Sequence, residues 1–345
     1  MNAPVTIEPL NDANGAEWDS FVRTCNDASF FHLTGWIAAI KEVYGHRPHC
    51  LLARSNGRVV GVLPLVHMRS ILFGNALISS PFCVYGGVAA TDPEAAERLS
   101  KEAKALGCDL GVSYVELRQR AALLTDLPTR SNLYATFRRA IGPDQDAMLK
   151  AIPRKKRADV RKGLQGRLRV EITDDISVFF RIYANSVHRL GTPVLPSRFF
   201  SSLLKQFAGS AEVSVVHGPN GPVAALISFF FRDEVLPYYG GALEEARDLH
   251  AYDYLYWTLM CRAAERGFRV FDFGRSKRGT GAFAYKTYWG FEPEPLHYQY
   301  HLIRQSHLPD MNPLSPKFRG LVALWKRIPL GVASAIGPSI ARHLG

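Results

Sequence analysis

The sequence is short of cysteine, of long apolar runs and of acidic residues. Its five cysteines lie far apart and form no CxxC pair, so neither a zinc site nor a disulfide framework is expected. No stretch approaches the roughly 20 apolar residues needed to span a bilayer. The first residues include acids and lack the apolar core of a signal peptide. We therefore expect a cytoplasmic protein with reduced thiols and no metal site.

Acidic residues are outnumbered by basic ones, 31 to 42, which gives a formal net charge of +11. A basic surface favours a phosphate-bearing partner, such as a nucleotide, tRNA, an anionic lipid or a diphosphate-linked substrate. It is also compatible with a role in solubility alone. Hydrophobic residues make up 47% of the 345 residues, which is enough for two domains with their own cores.

The chain contains an internal repeat of four elements in the same order. Each copy has a hairpin with an Asn-Gly turn, a strand with a Gly-Gly pair, a helix ending near a glycine, and a strand carrying one acid. In the first copy these are Asn56-Gly57, Val84–Gly87, 93–106 and Tyr114–Arg118; in the second they are Asn220-Gly221, Tyr238–Gly241, 248–266 and Val270–Gly274. The order predicts two related α/β (α+β) domains, each a mixed, mostly antiparallel sheet flanked by helices. Two unrelated α/β domains that share hairpins are the alternative.

We place the domain boundaries from this repeat. They give an N-terminal domain over 1–150, a C-terminal domain over 151–305 and a basic tail over 306–345. The segment 151–169, between the two copies, is rich in lysine and arginine, and Pro153 is favourable at a helix start. It is either a solvated linker helix or a positive collar, in which Arg154, Lys155 and Arg161 would contact phosphates.

The segment Phe271–Phe291, FDFGRSKRGTGAFAYKTYWGF, combines a basic glycine loop with a lysine among aromatic residues. Glycines allow backbone amides to approach a ligand, and nearby cations favour an anion. The candidate phosphate contacts in this loop are Arg275, Lys277, Gly279 and Gly281. A lysine held among aromatic rings, here Lys286, can stabilise a developing negative charge. A plain aromatic core cluster is the alternative.

This segment, with RKKRADVRKGL at Arg154–Leu164 and LGTPVLPSRFF at Leu190–Phe200, resembles the FemAB-type family. The resemblance is greatest to FemAB-related proteins found beside exosortase and exopolysaccharide gene clusters. It implies two tandem GNAT-like domains. It also implies transfer of an amino acid from aminoacyl-tRNA to an amine of a peptidoglycan precursor, with Lys286 of the "fK…fG" motif at the catalytic cleft.

Two departures from related enzymes bear on the donor. The helical coiled-coil arm that cell-wall enzymes of the family often use for tRNA is not visible in the sequence. The [RQ]xxGx[GA] loop with which acetyl-CoA-dependent GNAT enzymes bind pyrophosphate is missing at Leu243–Tyr254. No cofactor is certain on these grounds, and the sequence favours aminoacyl-tRNA over acyl-CoA as the donor.

These residues predict an acyl- or aminoacyltransferase acting on an amine or hydroxyl of a cell-envelope or exopolysaccharide precursor. We expect Lys286 at the oxyanion or the donor phosphate and Tyr239 as a hydroxyl donor. Asp272 would orient the nucleophile, or pair with Arg275 as a strand-end cap. Leu190–Pro193 would shape the acceptor pocket or form a simple turn. The alternative function is a non-catalytic GNAT-like module that binds a nucleotide- or lipid-diphosphate-linked sugar.

The tail, from Asn312 onward, predicts a basic amphipathic helix that ends at Pro329, followed by a second apolar turn. The apolar residues at helical spacing are Phe318, Leu321, Val322, Trp325 and Ile328. This stripe would either lie on an anionic membrane at the inner face of the cytoplasmic membrane or fold back onto the domain.

Overall fold

The computed structural model describes residues 4–70, 74–309 and 316–344. The strands are β1 (Thr6–Pro9), β2 (Arg47–Pro48), β3 (Leu51–Ser55), β4 (Arg58–Leu63), β5 (Leu65–Ser70), β6 (Gly74–Ser79), β7 (Ala89–Ala90), β8 (Tyr114–Gln119), β9 (Thr129–Arg130), β10 (Tyr134–Ala140), β11 (Arg169–Thr173), β12 (Ala211–Gly218), β13 (Gly221–Phe231), β14 (Glu234–Ala242), β15 (Val270–Asp272), β16 (Ser276–Lys277), β17 (Pro293–Pro295) and β18 (His297–Leu302). The helices are α1 (Gly15–Thr24), α2 (Thr34–Tyr44), α3 (Pro93–Asp109), α4 (Gln145–Ala151), α5 (Arg154–Gln165), α6 (Ile176–Leu190), α7 (Ser197–Gln206), α8 (Ala251–Glu265), α9 (Gly281–Tyr288), α10 (Pro316–Trp325) and α11 (Leu330–Ala341). Short 3₁₀ helices lie at Phe30–His32 and Glu244–Ala246.

The chain divides into two compact units, each made of non-contiguous segments. The first unit comprises Met1–Leu133, Pro295–Met311 and Arg342–Gly345, and the second comprises Tyr134–Glu294 and Asn312–Ala341. This differs from the boundaries expected at residues 150 and 305. The reason is strand pairing: β10 pairs with β15 in the second unit, and β18 pairs with β8 in the first.

In the first unit, one sheet has the order β1-β3-β4-β7 and the other has the order β2-β5-β6-β8-β18-β9. Helix α3 packs Leu99 and Ala103 into an aliphatic core with Val115. Asp92 caps this helix by accepting a hydrogen bond from Ala95 N at 2.9 Å. The helix runs past Gly107, which was expected to end it. A Cβ at Gly107 would lie 2.7 Å from Val115 Cγ2, so this glycine serves close helix–strand packing.

In the second unit, a single sheet has the order β11-β12-β13-β14-β15-β10-β16, and β17 pairs with β10. Along the order from β11 to β16 the pairs are antiparallel except for β14 and β15, which run parallel. Helix α8 covers the sheet and buries Leu255 and Leu259 in a core that includes Phe271. A fully buried side chain of this size contributes about 1.5–3 kcal/mol to stability. Each unit thus has a mixed, mostly antiparallel sheet with one parallel pair, β6 with β8 in the first unit and β14 with β15 in the second, which confirms the fold class predicted from the sequence.

The short-range predictions of the repeat have mixed outcomes. The turn between β3 and β4 has positive φ at Asn56 (50°) and Gly57 (74°), as expected for an Asn-Gly hairpin. The second helix of the repeat begins at Ala251 rather than at residue 248, because His250 takes a left-handed conformation immediately before it. The segment Val84–Gly87 is not a strand, whereas its counterpart Tyr238–Gly241 lies within β14.

The tail helices α10 and α11 belong to the second unit. Trp325 is buried, and Val322 faces Gly191 at the end of α6. These members of the expected stripe therefore pack onto the protein, as the fold-back alternative has it. The segment 312–315 and the side chains of Phe318 and Leu321 lie outside the described residues. Among the described residues, no helix has the length and apolar character needed to cross a membrane.

Candidate active site

The candidate site lies where the parallel strands β14 and β15 part. Their pairing consists of Glu234 with Val270 and Val235 with Phe271. Beyond these pairs β14 continues along β13, with a bulge at which Ile227 pairs with Tyr239 and Ser228 with Pro237. Bulges re-aim side chains and are common next to functional sites. The backbone after β15 is therefore available to other partners.

Lys286 forms hydrogen bonds with that backbone. It lies in the last turn of α9, and its Nζ donates hydrogen bonds to the carbonyl oxygens of Phe273 (2.7 Å), Gly274 (2.9 Å) and Arg275 (3.1 Å). The ammonium also lies 5.5 Å from the ring centre of Phe137 and 5.9 Å from that of Phe273. The lysine expected among aromatic rings is thus held by three carbonyls and two ring faces.

Burial perturbs both charged groups of this region. Loss of solvation lowers the pKa of Lys286 to about 7, with the Asp272 carboxylate opposing the shift and the Arg275 guanidinium adding to it. Burial likewise raises the pKa of Asp272 to about 7, against the opposing effects of the Gly274 amide and of Lys286. Perturbed pKa values of this kind are typical of functional sites, although structural ion pairs produce them too.

Asp272 is fully buried at the end of β15. Its carboxylate accepts hydrogen bonds from Gly274 N at 2.7 Å and from Thr136 Oγ1 at 3.2 Å. Arg138 Nε lies 3.4 Å from the second carboxylate oxygen, and Arg138 also forms an ion pair with Glu234. Because no part of Asp272 reaches the surface, any role in chemistry passes through the groups that it positions.

The basic glycine loop follows directly. The Arg275 guanidinium lies 4.4 Å from the ring centre of Tyr134, and Lys277 pairs with Tyr134 between β16 and β10. Gly279 has φ of 78°, and Gly281 is the first residue of α9. A Cβ at either glycine would meet open space, so these positions leave room at the helix start.

The structure places the two tyrosines of β14 differently. The Tyr239 ring packs against Tyr183, Phe199 and Phe200 of α6 and α7, with centroids 5.2–6.4 Å apart. Tyr238, at the bulge, has its Cε2 3.9 Å from the Cβ position of Gly274. Tyr238 therefore borders the loop that holds Lys286, and the sequence did not distinguish it from Tyr239.

The basic helix α5 adjoins the end of α9. A Cβ at Gly290 would lie 2.8 Å from Pro153 Cδ, immediately before α5. Arg154, Lys155 and Arg161 are exposed on this helix, as a phosphate-binding collar requires. A solvated linker helix would expose the same three side chains, so their role in phosphate binding stays a prediction.

One lysine of α5 points inward instead. Lys156 Nζ donates to Asp253 Oδ1 at 2.9 Å and lies 3.4 Å from Asp159. Tyr285, next to Lys286 on α9, donates to the same Asp253 oxygen at 2.6 Å. His250 lies within 4.0 Å of both carboxylates. The ammonium of Lys156 supplies the positive charge that these acids need, and the cluster links α5, α8 and α9.

A cavity of about 650 Å³ opens at the far end of β14. Its lining residues are Asn185, His188, Arg189, Leu243, Glu244, Glu245 and Lys326. Arg189 donates to Ala242 O at 2.8 Å, and His188 Nε2 is buried with no hydrogen-bond partner among the described residues. Gly191, at φ of 84°, ends α6 beside it. Leu190–Pro193 thus forms a turn next to a cavity of mixed charge.

Comparisons with known proteins agree with this arrangement. Residues 150–287 match the family model of the acetyltransferase (GNAT) domain. The chain is similar to the solved structure of FemX, at 16% identity and a TM-score of 0.67, over 84% of this chain and 96% of that one. The chain therefore has a tandem GNAT fold that is similar to the structure of FemX.

Two further comparisons support the fold. The C-terminal domain of a putative lysylphosphatidylglycerol synthetase from Agrobacterium fabrum has 12% identity and a TM-score of 0.58, over 86% of this chain and 93% of that one. A tandem GNAT protein from the clavulanic acid biosynthesis pathway has 13% identity and a TM-score of 0.53, over 88% and 100%. No curated protein sequence matches this one. The predicted family resemblance and tandem GNAT fold are confirmed at the level of fold.

Sequence reasoning missed the contribution of β10. Thr136, Phe137 and Arg138 contact Asp272 or Lys286, yet they precede the second unit's other strands and were assigned to the first domain. No local pattern marks them. The alternating apolar residues of a strand do not say which sheet the strand joins.

Proposed function

We propose that this tandem GNAT protein is an acyl- or aminoacyltransferase whose chemistry takes place at the parting strands β14 and β15. The observation that supports this most directly is the partly desolvated ammonium of Lys286, held beside the parting strands by the carbonyls that follow β15. A cation in such surroundings stabilises an oxyanion more strongly than it would in water.

The reaction would join an amine or hydroxyl of the acceptor to the carbonyl carbon of the donor. The acceptor's proton leaves to solvent or a nearby base, and a tetrahedral oxyanion forms. Lys286 would exchange one carbonyl contact for this oxyanion or for a donor phosphate. Collapse of the intermediate breaks the donor's ester bond and releases its alcohol as the leaving group.

Aminoacyl-tRNA remains the proposed donor, in preference to acyl-CoA. The cations proposed to hold donor phosphates are Arg154, Lys155, Arg161, Arg275 and Lys277, with room for backbone contact at Gly279 and Gly281. Asp272 would fix the loop through Gly274 N. Tyr239 remains a proposed hydroxyl donor, and Tyr238 joins it because its ring borders Gly274.

The acceptor would be a cell-envelope or exopolysaccharide precursor. The cavity at the end of β14 is suited to the acceptor side, since Glu244 and Glu245 can bind an amine while Arg189 and Lys326 can bind an acidic group. The alternative is a non-catalytic module for diphosphate-linked sugars. It is favoured by the fact that Lys286 already donates to three backbone carbonyls, as a structural lysine would.

Replacement of Lys286 distinguishes the transferase from the non-catalytic binding module. Lys286→Met should lower kcat by about 10²–10³-fold, the effect of removing one donor to an oxyanion. Mass spectrometry of nucleotide- and lipid-linked precursors, from cells carrying either protein, should show a species heavier by one acyl or aminoacyl residue only with the original chain. Lys101→Met, which removes a surface lysine paired with Glu97, is the matched control and should keep that species.

Identical precursor masses in all three strains, with protein folded by thermal unfolding, would overturn the transferase proposal in favour of the binding module. Supplying extracts with tRNA charged with labelled amino acids, or with labelled acetyl-CoA, identifies the donor. Label transferred only from acetyl-CoA would contradict the proposed aminoacyl-tRNA donor.

A further inference from the structure

Helix α11 exposes two of its large apolar residues and packs small ones against the protein. Ala333, Gly337 and Ala341 are buried, and a Cβ at Gly337 would lie 2.9 Å from Val194 N. Val332 and Ile336, one turn apart on another face, are 49% and 42% exposed. A surface helix of a globular protein normally has the opposite arrangement. The exposed face of α11 is therefore not explained by packing within the chain.

Two more apolar residues are exposed on helices that contact the tail or belong to it. Leu324, near the end of α10, is 60% exposed, and Leu190, at the end of α6, is 68% exposed. Leu190 precedes Gly191, against whose Cβ position Val322 and Lys326 pack at 2.6 and 2.9 Å. We call Leu190, Leu324, Val332 and Ile336 the tail surface. These residues lie on α10 and α11 and at the end of α6, which contacts both helices. Several exposed apolar residues on neighbouring helices mark an interaction site more often than single ones do.

The charged residues of the tail itself have one sign. Residues 312–345 contain five lysines or arginines and no aspartate or glutamate, and α11 itself carries no charge. Lys326 and Arg327 are exposed in the turn between α10 and α11. Lys326 shares its cavity with Glu244 and Glu245, whose carboxylates offset its positive charge. Arg327 does not line this cavity, so we take Arg327 as the cation that contacts lipid. Exposed apolar residues beside cations suit an anionic lipid surface.

We propose that α11 docks this protein on an anionic lipid bilayer, with Val332 and Ile336 inserted at the interface and Arg327 among the headgroups. The 12 residues of α11 extend about 18 Å, too short for the roughly 30 Å hydrocarbon core, so the helix lies in the plane of the membrane. The sequence offered this role to the stripe on the first tail helix as one of two alternatives. Trp325 and Val322 of that stripe face the protein, and the role passes to the second helix.

Vesicle flotation of the full chain tests this. We expect binding to phosphatidylcholine vesicles that contain phosphatidylglycerol, weak binding to phosphatidylcholine alone, and weaker binding at high salt because charges are screened. Val332→Asn with Ile336→Asn should reduce binding by at least about tenfold, since it removes the inserted apolar area. Arg327→Gln should reduce only the part that depends on phosphatidylglycerol.

A matched control uses exposed apolar residues of the same unit outside the tail. Leu164→Asn with Ile172→Asn replaces side chains that are 45% and 44% exposed and should leave binding unchanged. No flotation of the original chain, or equal loss in both double variants, overturns the proposal. Concentration-dependent dimerisation that Val332→Asn with Ile336→Asn abolishes, without vesicle binding, would assign the tail surface to a second copy instead.

Discussion

The two units treat the end of their parallel strand pair in different ways. In the first unit, Arg118 O, after the pair β6 and β8, accepts hydrogen bonds from Gly86 N at 3.1 Å and Gly87 N at 2.9 Å. In the second unit, Phe273 O, after the pair β14 and β15, accepts one from Lys286 Nζ at 2.7 Å. The first unit satisfies this carbonyl with its own backbone, and the second satisfies it with a cation.

Strand register shows that these carbonyls are equivalent. Leu65 and Phe229 occupy the same place after their Asn-Gly turns, and they pair with Ser79 and Leu236. The preceding residues form the parallel pairs Ile78 with Glu116 and Val235 with Phe271. Arg118 and Phe273 each follow the paired residue by two positions. The two carbonyls therefore occupy the same position of the fold, once in each unit, and differ in their hydrogen-bond donors.

The carbonyls have different donors because the connection that follows the paired strand is longer in the first unit. Between β6 and β7 the chain runs through 80–88, and β7 then rejoins β4 by pairing Ala90 with Gly61. In the second unit the corresponding irregularity is the bulge at Tyr238 within β14. The longer connection brings Gly86 and Gly87 onto β8, so that backbone amides bond the carbonyl whose counterpart in the second unit bonds Lys286. This difference is the reason why we place the proposed chemistry in the second unit.

The largest expected effect concerns the buried charges. Glu116 and Arg118 form an ion pair at 2.7 Å in the first unit, and Arg118 also donates to Cys83 O. Arg118→Met should destabilise the fold by about 3–5 kcal/mol, because it leaves the Glu116 carboxylate buried without its partner. Since we assign no chemistry to this unit, kcat at a temperature where the variant is folded should not change. Denaturant unfolding and turnover measure the two effects.

The second unit suggests a compensating change. The register equivalents of Glu116 and Arg118 are Phe271 and Phe273, both buried and apolar. Glu116→Leu combined with Arg118→Met should therefore recover much of the lost stability. A double variant as unstable as Arg118→Met would show that the unpaired Glu116 carboxylate is not the cause of the loss. A folded Arg118→Met protein with lower kcat would show that the first unit takes part in chemistry.

A smaller effect is expected at the glycines beside the two carbonyls. At Gly87 a Cβ would lie 2.5 Å from Gln119 Oε1, so Gly87→Ala should cost about 1–3 kcal/mol of stability and leave activity unchanged. At Gly274 a Cβ would lie 3.9 Å from its nearest neighbour, Tyr238 Cε2, so it fits, but φ is 67° and Gly274→Ala should cost about 1–2 kcal/mol through backbone strain.

Activity separates these two variants. Gly274 donates its amide to Asp272 and its carbonyl accepts from Lys286, so Gly274→Ala should also lower kcat several-fold. Thermal unfolding and turnover would be measured on both proteins. If Gly87→Ala lowered kcat as much as Gly274→Ala does, the assignment of chemistry to one unit would be wrong.

The sequence could predict the features that depend on neighbouring residues. The Asn56-Gly57 hairpin follows from two residues that tolerate positive φ, and the fold class follows from the order of the repeat. The place of Lys286 beside the glycine loop follows from one continuous segment. These interactions are local in sequence, and a motif contains all of their partners.

The remaining features depend on pairing between distant residues. Arg138 is 134 positions from Asp272, and β18 pairs with β8 although about 180 residues separate them. The Gly-Gly pair of the first copy resembles that of the second in sequence. Only the strand pairing shows that the first pair lies outside any strand, whereas the second lies within β14. For the same reason the sequence of α5, in which most charged residues are basic, does not show that Lys156 rather than its neighbours points toward Asp253.

The smallest expected effect is a shift in pH dependence, which sharpens the role of Lys286. If its ammonium is the form that stabilises the oxyanion, kcat should fall as pH rises through about 7 and reach about a tenth of its acidic plateau at pH 8. The carboxylate of Asp272 favours the ammonium, so Asp272→Asn should lower the pKa of Lys286 further and move the fall to lower pH. Glu97→Gln, at an exposed acid of the first unit, should leave the profile in place. A profile that does not move with Asp272→Asn would mean that the titrating group is not Lys286, and the second unit's carbonyl site would then differ from the first in structure alone.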